Sequence, residues 1–119
     1  MGGRLLIVED EAVLRKHLAR RLARAGYDVS TAGSCAEAVA AFAHGSFGIL
    51  LLDVQLPDGS GLDLLVTLGE RAQRCHTVVM TAFATADNEQ RAQHLNVRRL
   101  LRKPLDLEQV INAVGQGAA

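Results

Sequence analysis

Glu9-Asp10, Asp53, Thr81 and Lys103-Pro104 are the residues of this 119-residue chain whose types could do chemistry together, and each follows an apolar run. "RLLIV" (4–8) runs into the acid pair, "LLL" (50–52) into Asp53, "TVVM" (77–80) into Thr81 and "RRLLR" (98–102) into Lys103. A carboxylate beside an apolar core is costly unless it is paired, hydrated or bound to metal. Three carboxylates converging on one crevice also raise one another's pKa. A hard divalent cation removes that conflict, and Mg2+ suits it, keeping waters while taking one or two carboxylates and phosphate oxygens. Lys103 then supplies a point charge for a phosphate oxygen, and the Thr81 hydroxyl donates to another. Asp53 at the centre can act as a nucleophile, giving an aspartyl-phosphate. Such chemistry consists mainly of positioning and charge neutralisation.

Taken singly, each residue has a plainer role. An acid pair caps helices, an Asp forms Asx-turns, a Thr ends strands, and a Lys is a solvated charge. Their joint occurrence at the strand ends of one repeating pattern is what points to a site.

The elements that must position them alternate. Strands are expected over 4–8, 28–32, 47–52, 77–81 and 98–102. Helices are expected over 11–25, with Leu14, Leu18 and Leu22 at i, i+4 spacing, and from a Ser34 cap to about residue 44. Three more follow over 61–71, over 86–95 after a Thr85 cap, and over 106–114, with a Pro57-Asp58-Gly59 turn after the third strand. Five strand–helix units joined by right-handed crossovers imply an α/β fold: a five-stranded parallel sheet, doubly wound, with five helices on its two faces. Ligands of such sheets bind beyond the carboxyl ends of the strands, near a switch in strand order. Asp53 falls at that edge.

Length and composition fit one compact domain over 1–119 with a core of Leu, Val, Ile and Ala, since 49% of residues are apolar and 3% aromatic. The 13 basic and 13 acidic residues cancel, so direct nucleic-acid binding is not expected. Lys16 and Lys103 are the only lysines. Cys35 and Cys75 form no metal-ligand pattern and His17, His44, His76 and His94 are scattered. "MGGRLLIV" carries no long apolar run and no other run reaches membrane length, so no membrane association and a soluble, cytoplasmic setting are expected. Arg98, Arg99 and Arg102 are expected to face Asp106 and Glu108, either as solvated charges or as a seat for a partner.

In "IVEDE", "LLLDVQLPDGSGLDLL", "VVMTAFAT" and "LRKPLDLEQV" the chain resembles, end to end, the receiver domain of bacterial two-component response regulators. That resemblance implies the flavodoxin-like strand order 2-1-3-4-5 and a three-layer sandwich. It implies Asp53 as phosphoacceptor for a sensor histidine kinase or phosphotransfer protein, with Mg2+ as cofactor. Asp10 and Asp53 would ligate the metal directly, the backbone carbonyl of Gln55 would complete the protein ligands, and Glu9 would act through water. Thr81 and Lys103 would contact the phosphoryl group, with Ala82 beside Thr81 in the switch and a cis bond between Lys103 and Pro104. The domain is a signalling switch on this reading, not an enzyme in the ordinary sense, though it phosphorylates and dephosphorylates itself with Mg2+. The helix over 86–95, the fifth strand and the last helix would change and form the output surface, on which a phosphorylation-dependent homodimer is expected. An effector domain beyond residue 119, or a separate target protein, would receive the signal.

Two positions depart from the family pattern. Leu100 stands where the family has Tyr or Phe, which leaves only steric coupling to Thr81, and Asn96-Val97 replaces the usual Gly-Ala. Phe83, two residues after Thr81, is expected either to close over the hydrolytic water's approach or to pack on the helix that follows. The competing aspartyl-phosphate chemistry is that of a Mg2+-dependent phosphatase of the haloacid dehalogenase type. That chemistry requires a second Asp two residues after the nucleophile, where this chain has Gln55.

Overall fold

The computed structural model describes residues 3–117, so the last two residues of the loose "GQGAA" end lie outside it. The elements follow in the order β1 (Arg4–Val8), α1 (Ala12–Arg24), β2 (Asp28–Ala32), α2 (Cys35–His44), β3 (Ile49–Asp53), β4 (Gln55–Leu56), β5 (Gly59–Ser60), α3 (Gly61–Leu68), α4 (Glu70–Gln73), β6 (His76–Thr81), α5 (Ala86–His94), β7 (Arg99–Arg102) and α6 (Leu107–Gly115). The main sheet is parallel, with order β2-β1-β3-β6-β7. Both faces are covered, so its inner strands read as unbroken apolar runs instead of alternating ones. Strand alternation divides the core in two. Leu5, Ile7, Leu51 and Met80 point to α1 and α6, meeting Leu18, Leu22, Val110 and Val114. Leu6, Val8, Leu50, Leu52 and Val79 point the other way, to Ala38 and Phe42 of α2, Leu62 and Leu65 of α3 and Ala92 of α5.

The architecture matches expectation, with two differences. Six helices stand where five were expected, because the predicted 61–71 helix is α3 followed by α4. The break is at Gly69, whose φ of 58° lies in the left-handed region and whose N–H closes on the Leu65 carbonyl at 3.1 Å. Leu65, Leu68 and Ala72 are all buried across the break, so helical periodicity runs through it unchanged. The Pro57-Asp58-Gly59 turn is the tip of a small antiparallel hairpin, β4 on β5, pairing Gln55 with Ser60. β3 begins at Ile49, not residue 47, because Phe47 leaves the ladder to meet the Phe42 ring edge-on at 5.1 Å beneath the Arg4 guanidinium. The remaining boundaries differ by a residue or two, the usual extent of end fraying.

Since β1 lies between β2 and β3, the chain leaves it in opposite directions, and the crevice opens above the ends of β1 and β3. Val8 pairs with Leu52, so Glu9 and Asp53 emerge side by side. Gly61 fixes the far wall. Its N–H donates to the Val54 carbonyl at 2.7 Å, and a Cβ there would lie 2.1 Å from the Asp53 carbonyl oxygen. Gly61→Ala must therefore push α3 off the end of β3. The expected loss is about 1–3 kcal/mol, the usual cost of overpacking, read as a lowered urea midpoint. A midpoint equal to wild type would contradict this close approach.

Candidate functional site

At the carboxyl edge of the sheet an open cleft of about 950 Å³ is walled by Glu9, Asp10, Asp53, Gln55, Ala82 and Lys103, among others. Glu9 is fully buried, Asp53 nearly so, and Asp10 exposed. One carboxylate oxygen from each of the three acids lies within 4.8 Å of the others. Lys103 reaches in from the end of β7, with its Nζ 2.7 Å from Asp53 Oδ2 and 2.8 Å from Glu9 Oε1. The other Asp53 oxygen accepts the Gln55 N–H at 3.0 Å, and Glu9 Oε2 accepts the Glu11 N–H at 3.0 Å. The Lys103–Pro104 bond is cis, as the resemblance implied.

Burial pushes the Glu9 carboxyl above its usual 4.5; the Lys103 and Glu11 hydrogen bonds pull it down, and the charge of Asp53 adds to the rise. Burial also opposes the Lys103 ammonium, but hydrogen bonds and charges from Asp53 and Glu9 outweigh it and hold the group above its ordinary range. Lys103 is thus the one cation bonded to the carboxylates of the acid cluster among the described residues, and the cluster keeps an excess of negative charge. Hard oxygen donors this close fit a hard divalent cation with waters in its remaining positions, which is the character of Mg2+ or Ca2+ sites.

Thr81 is buried behind the cleft and is not among its walls, whereas Ala82 is. The Thr81 Oγ1 accepts the Phe83 N–H at 2.9 Å, which leaves its own proton available. The Phe83 ring is half-exposed and outside the walls. Its backbone is held by the Thr81 hydroxyl on its N–H and by Asn88 Nδ2 on its carbonyl, each at 2.9 Å. Leu100, opposite Val79 in β7, is half-buried against the Leu50–Val79 core and lines a separate groove with Arg98 and Arg102. The basic cluster does not face Asp106 and Glu108. Arg102 pairs with Glu89 of α5 at 2.9 Å, Glu108 with Arg21 of α1 at 3.1 Å, and Asp106 caps α6. Asn96, in the place of the family's Gly, adopts φ 62°, which Asn tolerates better than most side chains.

Four residues that frame the site were not singled out from sequence. Arg15 of α1 donates through Nη1 to the carbonyls of Glu9 at 2.8 Å and Asp10 at 3.3 Å, holding the acid loop. Asp58, at the hairpin tip, accepts the N–H groups of Cys35 at 2.8 Å and Ala36 at 3.0 Å and so clamps the loop after Asp53 to the start of α2. Asn88 and Arg91 bring α5 to the cleft. Arg15 has a sequence signal, a base one turn into the helix after an acid pair. Asp58 and Arg91 have none, because their partners are 22 to 28 residues away, and Asn88 reaches only the nearby Phe83 carbonyl, which does not by itself point to the cleft.

Residues 5–115 match the family model described as the response regulator receiver domain. The DNA-binding transcriptional regulator NtrC of Bradyrhizobium sp. (strain RP501 Parasponia) is 30% identical over 118 residues, which make up 99% of this chain and 25% of that one. The photosynthetic apparatus regulatory protein RegA of Cereibacter sphaeroides is 32% identical over 110 residues, 92% of this chain and 60% of that one. The chain therefore spans from a quarter to three-fifths of the length of these two curated relatives. Among solved structures, a response regulator protein from Burkholderia pseudomallei with a phosphorylated aspartic acid, calcium ion and citrate aligns with a TM-score of 0.87 at 28% identity, over 98% of this chain and 68% of that one. The phosphatase alternative finds no support in these matches, and Gln55 still stands where its second Asp would be.

The raised Glu9 pKa fixes a sign for pH dependence. Between 4.5 and the raised value the folded chain binds more protons than the unfolded one, so this group's contribution to stability falls as pH rises through that window. Glu9→Gln carries no such proton. In chelator and low salt, its urea midpoint should fall less than that of wild type between pH 4.5 and neutrality. Parallel pH curves for the two proteins would contradict the assignment.

Proposed function

Since the chain belongs to the response regulator receiver domain family, we propose that residues 1–119 act as one receiver domain that accepts a phosphoryl group on Asp53. The observation that carries this reading is the position of Asp53. Its carboxylate ends the central strand β3, within 4.8 Å of the other two acids and 2.7 Å from the Lys103 ammonium, whereas Glu9, 2.8 Å from the same ammonium, is fully buried at the end of β1. In transfer, an Asp53 oxygen attacks the phosphorus of a phosphohistidine on a kinase or phosphotransfer protein. The O–P bond forms as the P–N bond breaks, and the departing imidazole nitrogen takes up a proton. A small acyl phosphate serves the same chemistry, giving a carboxylate as leaving group.

Lys103 keeps its charge throughout and passes from the Asp53 carboxylate to a phosphoryl oxygen. Thr81 donates a hydrogen bond from its hydroxyl, whose oxygen accepts the Phe83 N–H, to another phosphoryl oxygen. Asp10, Asp53 and the Gln55 carbonyl would hold Mg2+, with Glu9 acting through water; the ion, when bound, supplies positive charge against the phosphoryl oxygens. The hairpin and its Asp58 clamp keep Gln55 in the cleft wall.

α5 is the element best suited to respond, because Ala92 is its one buried residue and polar contacts supply much of the rest of its attachment. The α5–β7–α6 face then forms the output surface, for a symmetric homodimer, an effector domain or a separate target. Among the described residues no helix is long and apolar enough to cross a membrane, and a cytoplasmic setting follows from the partnership with a histidine kinase.

Incubation with acetyl phosphate and Mg2+ followed by intact-mass measurement tests the reading. One phosphoryl group should be gained by wild type, none by Asp53→Asn, and at least tenfold less by Asp10→Ala at equal time, roughly the scale of losing one metal ligand. Asp53→Asn labelled to the wild-type extent would move the acceptor elsewhere.

A further inference from the structure

Lys103 is not alone as a cation at the cleft. Arg91, on α5, stands in its wall, and its guanidinium is bound to the Asp63 carboxylate of α3. Asp63 is not among the wall residues, so the base is held at the rim by an acid outside. Both side chains are substantially exposed, 43% for Arg91 and 66% for Asp63. An ion pair this wet is worth little and is readily exchanged for a better partner. Asn88, one turn earlier on the same helix, also lines the wall and holds the Phe83 carbonyl at 2.9 Å. The face of α5 turned to the cleft is therefore polar and cationic, tied at one end to the Thr81 loop and at the other to α3.

The charge balance changes when Asp53 is phosphorylated. A single carboxylate charge gives way to about −1.5 to −2 on three strong acceptor oxygens. Lys103 already has two carboxylates within 2.8 Å, so its ammonium does not by itself satisfy the added charge. A guanidinium presents paired donors in a planar fork that suits phosphoryl oxygens better than a single carboxylate oxygen. We propose that Arg91 is a phosphoryl-binding residue held in reserve by Asp63: on phosphorylation it leaves Asp63 for the group on Asp53 and draws α5 toward the cleft. Asp63 is then a competitor that sets how readily the anion recruits α5. The proposal rests on Asp53 being the phosphoacceptor, and its test is chosen to separate the two claims.

A plain strut between α3 and α5 is the opposing description, and the two differ in sign. If the pair is only a strut, removing either partner loosens α5 in the same way. If Arg91 is recruited, removing Asp63 frees it. Binding of beryllofluoride in the presence of Mg2+, a non-covalent phosphoryl mimic, is measured by 19F NMR titration on wild type, Arg91→Gln, Asp63→Asn and the double variant. Recruitment predicts roughly five- to tenfold weaker binding for Arg91→Gln, the net scale of one ordinary hydrogen bond, and tighter binding for Asp63→Asn. It also predicts that Asp63→Asn has no effect once Arg91 is Gln. Weaker binding in both single variants, or no change in either, overturns the role of Arg91 while leaving Asp53 as acceptor. A folded wild-type protein that binds no beryllofluoride with Mg2+ overturns both claims.

Discussion

The Lys103 ammonium lies 2.7 Å from Asp53 and 2.8 Å from Glu9, and this ion triad is the constraint around which the carboxyl edge of the sheet is built. Its members come from the ends of β1, β3 and β7, separated in sequence by 94 residues for Lys103–Glu9 and 50 for Lys103–Asp53. Neither carboxylate would tolerate its burial without a partner. Each has its second oxygen occupied by a backbone N–H, Gln55 for Asp53 and Glu11 for Glu9, and among the described residues no buried side-chain polar atom lacks a hydrogen-bond partner. A buried ion pair of this kind adds little net stability, since desolvation consumes much of its Coulomb energy. Its effect is on geometry. It fixes two acids beside exposed Asp10 and leaves the corner short of positive charge, a deficit that a divalent cation or an incoming donor must meet.

The rest of the molecule serves that corner. The apolar strands place their polar ends at one level because parallel pairing aligns Val8 with Leu52 and Thr81 with Arg102. Gly61 lets α3 start against the Asp53 carbonyl, while Asp58 and Arg15 pin the loops on either side through backbone groups. Against these rigid parts stands α5, with its single buried Ala92 and its polar links to α3, β7 and the Thr81 loop. Leu100 offers α5 packing but no side-chain hydrogen bond.

Much of this was legible from the chain because the responsible signals are local. Apolar runs ending in polar residues mark both the strands and the site, and Ser34, Thr85 and Asp106 read as helix starts, each accepting a backbone N–H of the first turn. What was missed depends on contacts across the fold. Asp58 lies in a turn whose Pro-Asp-Gly composition already accounts for it, and its partners are 22 and 23 residues away. Arg91 sits among polar residues of a helix with no apolar stripe, and its proximity to the cleft follows from sheet order. Phe83 allowed either a shield over the cleft or packing on the following helix, and its ring is half-exposed outside the cleft walls. Gly69 hides a helix break because the buried positions on either side keep the same period.

Calorimetric titration of Mg2+ into the wild-type protein and into Lys103→Met tests the charge deficit most directly, because the ammonium and the metal compete for the same acids. One weakly bound ion per chain is expected for wild type, and tighter binding for the variant, whose Glu9 and Asp53 oxygens are released from Lys103. No binding to wild type, or equal or weaker binding to a folded Lys103→Met, would contradict the arrangement of acids and base on which the function rests.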